Sequence, residues 1–226
     1  MNYLDEHILS LNAKVMDHAT ANNDNVKSIP VQSQESEQMS SMSEETKLLH
    51  IENDHLTLVP RTFWDGQIGF NIPKSFSLMP TEQATFKYPS EHRPEVIYAS
   101  LEGTVNMTFN PTDTSLEVNE LPEFMDQMAD VLRSVQPIRN WKGTEFTMNR
   151  SGLSIGKIRF VSAGIDANLY NEMLLFIHKG HVMVGTFNCL ESNMEAWMPV
   201  AEHLTQSLIV LSPPSYPAFE KGMTLL

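Results

Sequence analysis

"MLLFIHKGHVMVGTFNC", Met173 to Cys189, is the stretch that decides the fold. Lys179-Gly180 fits a two-residue hairpin turn, so the runs on either side pair antiparallel and His178 stands opposite His181. A half-buried strand alternates apolar and polar residues. Here Met173 to Ile177 and Val182 to Val184 are apolar at successive positions, so both faces of the sheet must be covered.

Two amphipathic segments can do the covering, one on each face. In "LPEFMDQMADVLRSV" (121–135) Phe124, Met128, Val131, Leu132 and Val135 share one helical stripe. Pro122 suits the first turn, Glu123 and Asp126 suit the positive end of the helix dipole, and Pro137 closes the segment. A second helix is expected from about Met194 to Leu208 on the stripe Trp197, Ala201, Leu204 and Leu208. Ser192-Asn193-Met194-Glu195 there has the pattern of a capping box.

Strands fill the remainder of the folded part. "LTLVP" and "IGFNIP" read as short strands, each stopped by a proline, with "WDGQ" turning between them. "EVIYAS" and "TVNMTFN" form a hairpin around "LEG", followed by a polar loop, "PTDTSLEVNE". "WKGTEFTMNRSGLS", broken near "NRSG", and "GKIRFVSAGIDANL" lead into the opening hairpin. The sequence therefore predicts an α+β fold, an antiparallel β-sheet flanked by helices, in the order strands, helix, strands, helix.

Outside that unit the text changes character. Leu4, Ile8, Leu11 and Val15 place one apolar face on a short N-terminal amphipathic helix, residues 1–19. Such a face needs a partner: its own domain, another subunit of a homo-oligomer, or a different protein. Residues 20–50 are rich in Ser, Gln, Asn and Glu and too poor in large apolar residues to offset ordering entropy, so they read as a disordered linker. The folded domain is expected over 51–212, and 213–226, with prolines at 213, 214 and 217, as an irregular tail.

The net charge is -13 over 226 residues. Residues 1–57 carry ten acids and three lysines, a balance of -7 that leaves -6 for the rest. Without clustered cations in excess, a non-specific nucleic-acid binder is excluded. The first residues have acids at Asp5 and Glu6 and no apolar core or cleavage site, so they are not a secretory signal. No run approaches the roughly 18 apolar residues of a membrane span. The expected location is the cytoplasm. Cys189 is the only cysteine and lies beside an apolar run, which suits a buried inert thiol.

Several pieces of this text together resemble the PsbP-like fold, shared by photosystem PsbP, the Ran-binding Mog protein and bacterial DcrB-type domains. They are "GFNIPKSFSLM", "KYPSEHRPEVIYAS" leading to "GTVNMTFN", "LLFIHKGHVMVGTFNC" and "MEAWMPVAEHLTQSLIVL", spanning Leu56 to Leu211. The resemblance implies an α/β/α sandwich and a bacterial, non-enzymatic, protein-binding module, of the kind that serves as chaperone, adaptor or immunity-type factor. It supplies no catalytic motif, so no catalytic residue is carried over.

The residues agree in offering little chemistry. There is no G-x-S-x-G elbow, phosphate loop or dinucleotide fingerprint, and so no cofactor is expected. His178 and His181 are one pair, short of the three or four ligands of a zinc site, and no metal is expected. The one candidate site is the turn "KYPSEHRPE". Pro89 and Pro94 stiffen it and hold Tyr88 and Arg93 extended. Tyr88, His92 and Arg93 are residue types enriched where proteins read other proteins. Two alternatives stand beside a protein-binding module: a groove for a small molecule or lipid, lined by some of the 14 methionines, and a hydrolase with distant carboxylates.

Overall fold

The computed structural model describes residues 47–51, 54–88, 93–164 and 166–211. The expected N-terminal helix, the linker up to residue 46, the tail 213–226 and His92 lie outside the described residues.

Seven strands form one antiparallel sheet. They are β4 (Ser77–Leu78), β5 (Val96–Ala99), β6 (Asn106–Ser115), β7 (Ile138–Met148), β8 (Ser154–Ala163), β9 (Asn168–His178) and β10 (His181–Leu190). Their spatial order is β4-β5-β6-β10-β9-β8-β7. The hairpin β9–β10 lies at the middle, as its doubly apolar strands require. His181 pairs with His178, and Lys179 and Gly180 both take positive φ, 51° and 76°, the geometry that lets a two-residue turn follow the strand twist.

One face is covered by α2 (Leu121–Val135), as the stripe predicts. Leu121, Phe124, Met125, Met128 and Leu132 pack on Ile158, Phe160, Met173, Leu175, Val182 and Val184. Val135, assigned to the stripe, is exposed at the last residue of the helix. A short helix, α1 (Thr81–Lys87), lies N-terminal to β5, and its buried Ala84 clusters with Tyr88 and Ile97. The sequence reading missed it, for seven residues carry too little periodicity to be distinguished from a polar loop.

The other face is covered by two elements. One is α3 (Met194–Ser207), burying Val200, Ala201 and Leu204. The second is a small sheet of order β1-β2-β3-β11, with β1 (Lys47–Ile51), β2 (Asp54–Phe63), β3 (Ile68–Pro73) and β11 (Ile209–Val210). Ile68, Phe70 and Ile72 of β3 enter one core with Tyr98, Phe109, Leu174, Phe176, Met183 and Leu204. β1 starts at Lys47, inside the stretch read as linker, where "KLLHI" pairs with β2.

Two strands run through the prolines that were expected to end or precede them. β2 continues past Pro60, which stands opposite Asn71 of β3, and β6 continues past Pro111, opposite Met183 of β10. Both prolines lie where one flank of the strand has lost its partner among the described residues: β1 pairs only as far as Leu58, and β5 only as far as Phe109. A missing N–H costs nothing to a ladder that is no longer there. The expected capping box at Ser192 is not formed. A 3-10 turn occupies Glu191–Asn193, and Ser192 Oγ donates to Asn193 Oδ1. A capping box forms instead at Glu117, whose backbone N–H donates to Glu120 Oε2 just ahead of α2.

Candidate functional site

The turn singled out in the sequence is a junction between α1 and β5. Tyr88 is buried, 1% exposed, against Ala84 and Ile97 with Met79 alongside, and its backbone N–H caps α1 by donating to Ala84 O. This corrects the expectation for Tyr88: its ring is buried against α1 and β5 and is not presented to a partner. Arg93 is half-buried, and His92 lies outside the described residues. The strand entry is tied down at Glu95, whose Oε2 accepts a hydrogen bond of 3.2 Å from Trp64 Nε1.

What this end of the molecule does present is apolar. Phe86, on the last turn of α1, is 91% exposed, and Leu101, in the β5–β6 turn, is 90% exposed. Lys87 fastens these two elements together, its Nζ donating to Gly103 O at 2.7 Å and to Asn106 Oδ1 at 2.8 Å. Asn106 in turn donates to Asn188 Oδ1 of β10 at 2.9 Å, so the clamp is rooted in the sheet. The β5–β6 turn is closed by Gly103 N–H to Ser100 O and Ser100 N–H to Val105 O, both 2.9 Å. Phe86 and Leu101 therefore project from rigid positions one and two residues away from the clamp. Sequence reasoning missed both because exposure of a single Phe or Leu has no local signature; it follows from the covering of neighbouring residues.

A second concentration of chemistry lies beneath α3. On that face of the sheet, β8 and β9 place Lys157, Arg159, Tyr170 and Glu172 side by side, with Arg159 directly opposite Glu172. Lys157 is 2% exposed, and its Nζ meets Glu202 Oε2 of α3 at 2.7 Å. Tyr170 donates its hydroxyl to Glu172 Oε2 at 2.9 Å, and Arg159 Nη2 pairs with Glu145 Oε2 of β7 at 2.9 Å. Burial pushes the Glu172 carboxyl above the usual carboxylate range, against the pull of Tyr170, Lys157 and Arg159. Tyr170 is held far above the usual phenol range by its own burial and by the neighbouring Glu172. At Glu202 burial opposes ionisation, but the hydrogen bonds from Lys157 and Gln206 prevail and hold the carboxyl below its ordinary range.

These groups bond to one another, with Arg159 Nε left as a buried donor that has no hydrogen-bond partner among the described residues. Asn149 completes the set by donating to Thr205 O and Leu208 O at the end of α3, 3.0 and 2.6 Å. The network fixes a helix on a sheet.

The hairpin histidines are likewise engaged. His178 Nε2 lies 3.0 Å from Gln67 Oε1 in the β2–β3 turn, and His181 Nδ1 lies 3.1 Å from Lys179 O. Burial, and then Lys179, lower the His178 pKa. Among the described residues no group of three or more His, Cys, Asp or Glu is placed to hold a metal ion.

Element order and layering thus define an α+β sandwich, one antiparallel sheet with α2 on one face and α3 with the small sheet on the other. No protein-family model and no curated protein matches the chain. Among solved structures, cyanobacterial PsbP (CyanoP) from Synechocystis is similar with a TM-score of 0.47 and 12% identity, over 70% of this chain and 95% of that one. LpqN of Mycobacterium tuberculosis, described as involved in cell envelope biogenesis, is similar with a TM-score of 0.46 and 12% identity, over 72% of this chain and 95% of that one. The Ran-binding protein Mog1p of Saccharomyces cerevisiae is similar with a TM-score of 0.44 and 11% identity, over 70% and 97%. No helix among the described residues is long and apolar enough to cross a membrane.

Proposed function

We propose that the chain is a non-enzymatic, cytoplasmic protein-binding module, and that Phe86 and Leu101 are the residues a partner protein covers. The observation that carries the reading is their exposure on clamped elements. Two large apolar side chains left about nine-tenths in water, on a rigid frame, are what an interface anchor needs, because little conformational freedom is lost on docking. Burying each would contribute roughly 1.5–3 kcal/mol, about 3–6 kcal/mol together, so the pair would anchor an interface whose surrounding contacts supply the rest of the about 8 kcal/mol of a micromolar complex. The ionisable groups beneath α3 favour a non-enzymatic role, since Lys157, Tyr170 and Glu202 make their bonds within the network that seats the helix.

The test is a pair of baits, the full chain and its Phe86→Ser/Leu101→Ser variant, used on the same native extract. A protein retained by the first and depleted from the second, with the urea midpoint unchanged, supports the reading. Equal recovery on both baits overturns it.

A further inference from the structure

The strand at the opposite edge of the seven-stranded sheet, β7, carries a second surface of different character. It pairs with β8 alone, so its outer row of backbone N–H and C=O groups has no strand partner among the described residues. Edge strands in natural proteins are kept short, bulged or charged to prevent unwanted pairing. The first half of β7 follows that rule, with irregularities between Ile138 and Asn140 and between Trp141 and Gly143. The second half does not. From Gly143, itself at φ 111°, to Met148 the register with β8 is unbroken, which leaves six residues of edge open among the described residues.

Side chains along that run point to a ligand. Phe146 (43% exposed) and Met148 (65% exposed) stand on one face of the sheet, opposite Gly156 and Ser154 of β8. The charges around them run against the character of the whole chain. Residues 133–159 hold six cations (Arg133, Arg139, Lys142, Arg150, Lys157 and Arg159) and one acid, Glu145, in a chain whose net charge is -13. Arg159 takes up Glu145, Lys157 is held by Glu202, and Arg133 pairs with Asp130 and lies 4.0 Å over the Trp141 ring. Arg139, Lys142 and Arg150 are exposed and have no ion-pair partner among the described residues. They flank the open edge, two before it and one after.

We propose that the Gly143–Met148 edge of β7 accepts an extended acidic segment of another protein as an added strand. The backbone edge supplies the affinity common to strand addition, Phe146 and Met148 select apolar residues at alternate positions of the guest, and the flanking cations select carboxylates at its two ends. A nucleic acid fits less well, since it cannot use the backbone edge and would meet the chain's net negative charge. This surface is independent of the Phe86–Leu101 patch, which lies by β5 and β6 toward the other end of the sheet.

The probe is a fluorescein-labelled decapeptide, Glu-Glu-Val-Thr-Val-Thr-Val-Thr-Glu-Glu, titrated onto the full chain by anisotropy, with hydrogen exchange followed at Gly143–Met148. Saturable binding is expected, with slowed exchange at outward amides of that run. Lys142→Glu/Arg150→Glu should weaken it tenfold or more at low salt while leaving the urea midpoint in place. The same peptide N-methylated at alternate residues should not bind. Equal binding of the N-methylated peptide, or of a thymidine dodecanucleotide, overturns the proposal. So does failure of the peptide to bind, whether the run exchanges freely or is already protected in the peptide-free chain by its own N-terminal acids or a second copy.

Discussion

Removing either partner of the Lys157–Glu202 pair should have very unequal costs, and the inequality follows from where water can reach. Lys157 lies on β8 inside the core, 2% exposed, whereas the side chain of Glu202 is 51% exposed at the surface of α3. Glu202→Ala leaves an ammonium buried without the carboxylate 2.7 Å away. Stranding one member of a buried pair costs about 3–5 kcal/mol, and water entering past the shortened side chain places this case near the lower end, about 3 kcal/mol. Lys157→Met leaves a carboxylate that is already half in water, and Met fills the space of the aliphatic stem, so the cost should be about 1 kcal/mol or less. For a chain of this length the two differ by roughly 4–8 °C in Tm. Urea denaturation of the two single variants and the double variant at pH 7 gives the comparison, and the double should resemble Lys157→Met rather than the sum of the singles. Equal costs for the two singles, or strict additivity in the double, would refute the claim that Lys157 is a desolvated cation held by one external carboxylate.

Glu172 supplies a test of opposite sign. Burial raises its folded pKa above the unfolded value, so the native state binds the proton more readily, and stability falls as pH rises from the unfolded pKa through the folded one. Glu172→Gln should abolish that slope and be more stable than the parent at neutral pH, measured as urea midpoints from pH 4 to 8; an unchanged slope would show that another group carries it. Cys189 is buried on β10 and its thiol is pushed up to about 12 by that burial. At pH 8 the thiolate fraction is then about one in ten thousand. Reaction with a disulfide reagent should therefore follow the unfolding rate, and rapid modification of the native chain would contradict the packing.

The parts of this fold that were legible in the sequence are those written in local periodicity. Met173–Ile177 and Val182–Val184 specified a sheet covered on both faces, and the stripe from Phe124 to Leu132 specified one cover, because burial on a face of known period leaves a repeating mark. The small sheet was legible only as the hairpin of "LTLVP" and "IGFNIP"; that it would detach from the main sheet and join α3 as a cover depends on where β11 returns after the last helix. Pro60 and Pro111 misled for a related reason. A proline breaks a ladder only on the side where its N–H would have bonded, and which side is free is decided by strands far away in the chain. Tyr88 was mistaken for surface because a Tyr between a Lys and a Pro reads as polar text, while its burial comes from α1 folding back over Ile97.

The two covers of the main sheet are specified by different physics, and the buried charged side chains, Lys157 and Glu172, lie on only one of the two faces. Beneath α2 the contacts among Phe124, Met128, Ile158, Phe160, Met173 and Leu175 are apolar, and the helix is seated by shape: a Cβ added at Gly156 would come within 3.1 Å of Met125 Sδ. α3 relies less on shape alone, since Pro199 interrupts its hydrogen bonding and its buried residues Ala201 and Leu204 must also pack with β3. Its seating is instead given by bonds to fixed points: Glu202 to Lys157, Thr205 Oγ1 to Glu172 at 3.5 Å, the last carbonyls to Asn149, and Ser207 Oγ to the backbone N–H of Asn71 at 2.8 Å. A one-residue slide of α3 would break all of these at once, leaving Lys157 buried without its carboxylate and Glu172 with the Tyr170 hydroxyl alone. A buried charge pair adds little to stability over an apolar pair. What it adds here is a single register for the helix that joins the small sheet to the large one.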